Sequence, residues 1–183
     1  MAVNRRSAIK QLLFVSAGLA ILPSCLQKTT RTSMTLKHLK IDGDQEKTLA
    51  ELVNTIIPPT STPGAKELGA HLFTLLMLDD CYKKEDQERW MNGFKAFDAA
   101  SKKMNGQSFL ESSQDKRDAL VTSLEAIKDD KDDLFYFYKA TKRLTIQAYT
   151  SSEYFLTKVN VYELVPGRYK GCVPYTPQPR KLS

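Results

Sequence analysis

His71, the acid pair Asp79-Asp80 and the three cysteines Cys25, Cys81 and Cys172 are the residues best equipped for chemistry. An imidazole beside carboxylates can serve acid–base work or bind a metal. The spacing here favours neither. His71 has Leu68, Leu72 and Leu75 as helical neighbours, so a packed, hydrogen-bonded histidine is the stronger reading. The other histidine, His38, lies in a polar stretch. No His-x-x-x-His, Cys-x-x-Cys or Cys-x-x-Cys-His occurs, which leaves zinc and covalent haem without ligands. Flavin or nucleotide binding by this chain is likewise unsupported, because Gly-x-Gly-x-x-Gly and P-loop patterns are missing. A hydrolase built on His71 lacks a Gly-x-Ser-x-Gly nucleophile turn. Asp79-Asp80 reads as solvated, or as a pair for a partner's basic group. Asp129-Asp130 and Asp132-Asp133 lack calcium-loop spacing and read as a wet turn.

The elements around these residues are helical. Asp42-Gly43-Asp44 offers capping oxygens, and Leu49, Leu52, Val53, Ile56 and Ile57 recur at helical spacing up to Pro58. Pro58, Pro59 and Pro63 then force a stiff elbow. Beyond it, Leu72 to Leu78 has Thr74 as its one polar residue, which predicts a central helix buried on most faces. Ala65, Gly69 and Phe73 on one line would admit a close neighbour. A third helix carries Trp90, Phe94, Phe97, Ser101 and Met104 on one stripe and stops at Asn105-Gly106. Ser112 or Ser113 caps a fourth, with Leu120, Leu124 and Ile127 inward. A fifth, from Leu134 to about Tyr149, buries Phe137, Tyr138, Thr141, Leu144 and Ala148 and leaves Lys139, Lys142 and Arg143 wet. A short last helix near Tyr154–Val159 follows. The expected fold is all-α, a bundle of five or six helices with a Pro-rich extended C-terminal arm. Without residues 1–24, which hold Arg5, Arg6 and Lys10 and no acid, the net charge of +6 falls to +3, too mild to argue for nucleic acid, and no basic stripe interleaved with aromatics stands out.

Arg5 and Arg6 precede an apolar run, Leu12 to Leu22, about half the length needed to span a bilayer. Residues 1–24 read as a twin-arginine signal peptide. Leu22-Pro23-Ser24-Cys25 resembles a lipobox, which marks Cys25 for lipidation and places the protein in the periplasm as a membrane-anchored lipoprotein. An ordinary leader and an unmodified Cys25 are the plain alternatives. Residues 25–40 read as a tether, 41–175 as the domain and 176–183 as a tail. In an oxidising compartment Cys81 and Cys172 can bridge, which would pin the arm and contribute about 2–4 kcal/mol. The alternative is a free Cys81, with Cys172 free or bridged to a partner.

Two segments carry a family resemblance. One is Ile56-Ile57-Pro58-Pro59-Thr60-Ser61-Thr62-Pro63-Gly64-Ala65 with the apolar helix ending Asp80-Cys81-Tyr82. The other is Val165-Pro166-Gly167-Arg168-Tyr169-Lys170-Gly171-Cys172-Val173-Pro174. Together they resemble the gluconate 2-dehydrogenase subunit 3 family, the small subunits of membrane-associated flavin-dependent sugar and polyol dehydrogenases. The resemblance implies a non-catalytic accessory subunit with no cofactor of its own. FAD would sit on the catalytic partner and haem on a cytochrome c subunit. It also implies an escort role, carrying the folded flavin subunit through the twin-arginine translocase. Pro166, Gly167, Arg168, Tyr169 and Pro174 would dock in cis or onto a partner, since proline-rich chain loses little entropy on ordering. A free-standing envelope lipoprotein that binds some other partner is the competing reading.

Overall fold

Asp42 opens the first helix through a capping box. Its carboxylate accepts the N–H groups of Asp44 and Gln45, and the Gln45 side chain returns to the Asp42 N–H. The computed structural model describes residues 32–127, 129, 131–160, 167 and 172. Within them lie α1 (Gly43–Ile56), α2 (Ala70–Cys81), α3 (Lys84–Asn105), α4 (Gln114–Glu125), α5 (Asp133–Thr150) and a π-helical turn, Phe155–Val159. There is no strand among the described residues, and the protein is an all-α bundle.

The Pro elbow between α1 and α2 is held by its own backbone. Ala65 N–H donates to Ile57 O at 2.9 Å, and Thr60 N–H to Thr62 O at 2.9 Å. Gly64 has no room for a side chain, since a Cβ there would lie 2.8 Å from the Pro59 nitrogen. Val53, Ala65, Ala70 and Ala148 form a small core beneath the elbow. Residues 66–69 continue as turns, and α2 begins only after Gly69, whose φ of 71° breaks the helix. The expected packing line Ala65–Gly69–Phe73 therefore does not lie on one helix.

The central helix is α5, which packs against every other helix; α2 packs against α1 and α5. The expectation that α2 is buried on most faces fails: Leu76 is 44% exposed, and Leu72, Phe73 and Met77 are half-buried. Trp90, Phe94 and Phe97 of α3 meet Phe137 of α5 with ring centroids 5.0–5.4 Å apart, and Phe109 closes the cluster 4.9 Å from Phe97. Trp90 Nε1 donates to Thr141 Oγ1 at 3.1 Å, so the largest ring is buried without an orphaned donor. Phe137, Tyr138, Thr141, Leu144 and Ala148 are buried as expected. Met104, placed on the buried stripe by its spacing, is instead exposed, because it lies in the last turn before the Gly106 cap.

Candidate functional site

The C-terminal end of α2 does what its sequence conceals. Asp79 is buried and accepts three backbone N–H groups, from Lys37 at 2.7 Å, His38 at 2.8 Å and Leu39 at 2.7 Å. Burial pushes its pKa up, but the three amides outweigh that and hold the carboxyl below the usual range. Asp80 faces outward and pairs with Lys37 Nζ at 2.9 Å. The reading of this pair as solvated thus holds for Asp80 and fails for Asp79. The stretch expected to be a tether is, from Ser33 to Leu39, docked on the bundle. Ser33 donates its N–H and its hydroxyl to the buried Glu46 at 2.7 and 2.5 Å, and Leu39 enters the core.

Gln87 closes the same corner. Its buried Nε2 donates to the carbonyls of Leu78 at 2.9 Å and Asp79 at 3.0 Å, groups that a helix C-terminus leaves unpaired. Beside this clasp lies a groove of about 700 Å³. Lys37, Lys40, Lys84 and Lys95 line it together with Asp80 and Glu88. Such a mixed set of charges suits recognition of a polar protein surface.

His71 is half-buried, with Nδ1 buried and unpartnered, which corrects the expectation of a hydrogen-bonded ring. Burial depresses its pKa; the nearby Glu46 opposes this and Lys66 adds to it. His71 and Asp79 sit two helical turns apart on α2 and share no interaction. Among the described residues no three His, Cys, Asp or Glu side chains are placed to hold a metal ion. No helix there is long and apolar enough to cross a membrane.

Cys81 and Cys172 are both exposed free thiols, so the bridge expected between them is not formed in this structure. Gly167 is exposed, with open space around it. Arg5, Arg6, Cys25, Pro166, Arg168, Tyr169 and Pro174 lie outside the described residues. Sequence reasoning missed Asp79, Gln87 and Glu46. The signal available was polarity at positions that helical spacing turns inward.

These features define an all-α bundle on a paired aromatic core, with its leading segment clasped at one end. The chain belongs to the gluconate 2-dehydrogenase subunit 3 family, whose model matches residues 43–167. The match spans the elbow and all five α-helices. No curated protein and no solved structure matches the chain.

Proposed function

We propose that this chain is the non-catalytic accessory subunit of a periplasmic, flavin-dependent sugar or polyol dehydrogenase. The family match over residues 43–167 carries the reading, because the family is named for subunit 3 of gluconate 2-dehydrogenase. Arg5 and Arg6 ahead of the apolar run support export by the twin-arginine route. A flavin enzyme folds around its cofactor before export, so a subunit with its own leader can carry it across already folded. The bundle then holds the flavin subunit at the membrane through a lipid on Cys25. FAD belongs to the partner, and electrons pass from it to a haem-bearing cytochrome subunit. This chain contributes shape and adhesion.

Affinity purification of the tagged native protein tests this. The expected result is a co-purifying flavoprotein with sugar or polyol dehydrogenase activity, found in the periplasmic fraction. Replacing Arg5 and Arg6 by lysine should leave both proteins in the cytoplasm. A purification that yields no flavoprotein overturns the reading.

A further inference from the structure

The elbow between α1 and α2 ends in an exposed, uncharged tip. Pro58, Pro59, Thr60 and Ser61 face solvent there, while Gly64 and Ala65 at its base are buried. From Asn54 to Ala65 no residue is charged, in a chain where Asp, Glu, Lys and Arg make up 26%. The first charges on either side in the sequence, Glu51 and Lys66, pair with each other at 2.5 Å, and Glu51 also binds Arg117 at 2.6 Å. The tip's own surface is proline rings and small hydroxyls.

Braces reach the elbow from several sides. Ile57 N–H donates to Val53 O at 3.1 Å and ties the entry to α1, and Ala65 N–H closes the base on Ile57 O at 2.9 Å. Tyr149 of α5 donates its hydroxyl to Thr62 Oγ1 at 3.3 Å, and Gly64 N–H donates to Glu67 Oε2 at 3.3 Å. Thr60 N–H donates to Thr62 O at 2.9 Å across the tip. Pro58, Pro59 and Pro63 remove backbone freedom that these bonds would otherwise have to restrain. Among the described residues neither Pro58 nor Ser61 takes part in a hydrogen bond.

We infer that this tip docks into an uncharged, aromatic-lined pocket of the flavin subunit, with Pro58 and Pro59 lying on its rings and Ser61 meeting its hydrogen-bonding groups. The inference deepens the proposed function and rests on it. Three observations select this occupant. Proline offers a flat apolar ring and a carbonyl but no N–H, the combination that aromatic-lined grooves recognise in proline-rich segments. The lack of charge fits a neutral pocket, since an ionic wall set against the tip would lose water and gain no counter-charge. A tip already held from α1, from α5 and by Glu67 loses little further freedom on binding. A lipid surface fits less well, because the tip has neither a cation for headgroups nor a large side chain to enter the acyl layer.

The test uses the full-length protein and the flavoprotein that co-purifies with it. Affinity is measured for the wild type, for Pro58→Ala/Ser61→Glu, for Pro58→Ala/Ser61→Lys and for Lys103→Glu as a control at an exposed site elsewhere. Melting curves matched to the wild type establish that the variants fold. Where the double variants melt lower, Ser61→Glu and Ser61→Lys alone take their place with the same expected outcome, since Ser61 has no hydrogen bond to lose among the described residues. The expected result is about a tenfold or greater loss for both variants, whichever sign of charge is introduced, and affinity within about twofold for the control. Added salt should leave wild-type affinity within about twofold. A loss with one sign of charge and not the other, or strong weakening by salt, would reveal a charged pocket and overturn the inference. If the wild type and both variants bind the flavoprotein equally, the inference falls and the proposed function stands. If no flavoprotein binds the wild type, both fall. Sedimentation of the protein alone forms the last arm. A wild-type dimer that Ser61→Glu splits, with flavoprotein binding unchanged, assigns the tip to contact between copies and overturns the inference.

Discussion

Gly93 of α3 faces Phe137 of α5 so closely that a Cβ on Gly93 would stand 2.5 Å from the Phe137 Cβ and 2.0 Å from the Asp133 carbonyl oxygen. The second contact is with backbone, which cannot swing aside. Gly93→Ala should therefore separate the two helices that frame the aromatic core. The gain in helix preference, about 1 kcal/mol, is outweighed by overpacking of about 3 kcal/mol. Urea denaturation should show a lower midpoint; an unchanged one would mean that the helices can part at little cost.

Asp79→Asn should release the leading segment. An amide brings an N–H₂ group toward three backbone donors and retains one acceptor. The expected loss is about 2–3 kcal/mol. Trypsin should then cut after Lys37 or Lys40 faster than in the wild type, where the backbone of residues 37–39 is held by Asp79. The depressed carboxyl pKa sets the sign of the pH dependence. Its stabilisation is present above the unfolded value, about 3.9, and is lost as pH falls through the lower folded value. The variant should lack that acid-range decline.

His71 gives a second pH signature, in a different window. The folded state favours the neutral ring, since burial lowers its pKa. That preference costs nothing above the free value of about 6.5, and stability falls as pH drops from there through the folded value. Melting temperatures at pH 7 and pH 5 should differ more for the wild type than for His71→Leu. Equal slopes would show that the ring protonates freely in place.

Arg117 ties α4 to its surroundings with three bonds: Nε to Phe109 O at 2.9 Å, and its two terminal nitrogens to Leu110 O at 2.7 Å and to Glu51 at 2.6 Å. Burial raises the Glu51 pKa, but Lys66 and Arg117 outweigh it, so the carboxylate stays charged. Lysine cannot reproduce the planar fork. Arg117→Lys should cost about 1–2 kcal/mol in a chemical denaturation curve, and Arg117→Met no less.

Three helices were readable because their ends are written locally. Asp42 with Gln45 starts α1, Gly106 with φ 74° stops α3, and Asp132 caps Leu134 at the start of α5. The start of α2 was misplaced because Lys66-Glu67-Leu68 has helix-compatible composition, while Gly69 adopts a left-handed turn that its neighbours do not announce. The centre of the bundle was misassigned for a related reason. Apolarity nearly all round α2 points to burial on most faces, yet Leu76 remains outside and α5, amphipathic and longer, takes the middle. The Asp79 clasp was beyond reach, since its donors are backbone amides some forty residues upstream and carry no side-chain signature. Lys139 and Arg143 lie at the surface, as their helical spacing indicates, but nothing local announces that Tyr82 and Arg143 meet.

The grip on residues 37–39 also fixes a mechanical origin. Only a dozen residues separate it from Cys25, and fully stretched they reach about 40 Å. With the lipid proposed at Cys25, the bundle would ride on a short mooring line made fast at Asp79. Pull along that line would load the buried carboxylates of Glu46 and Asp79 before it reached the capped start of α1.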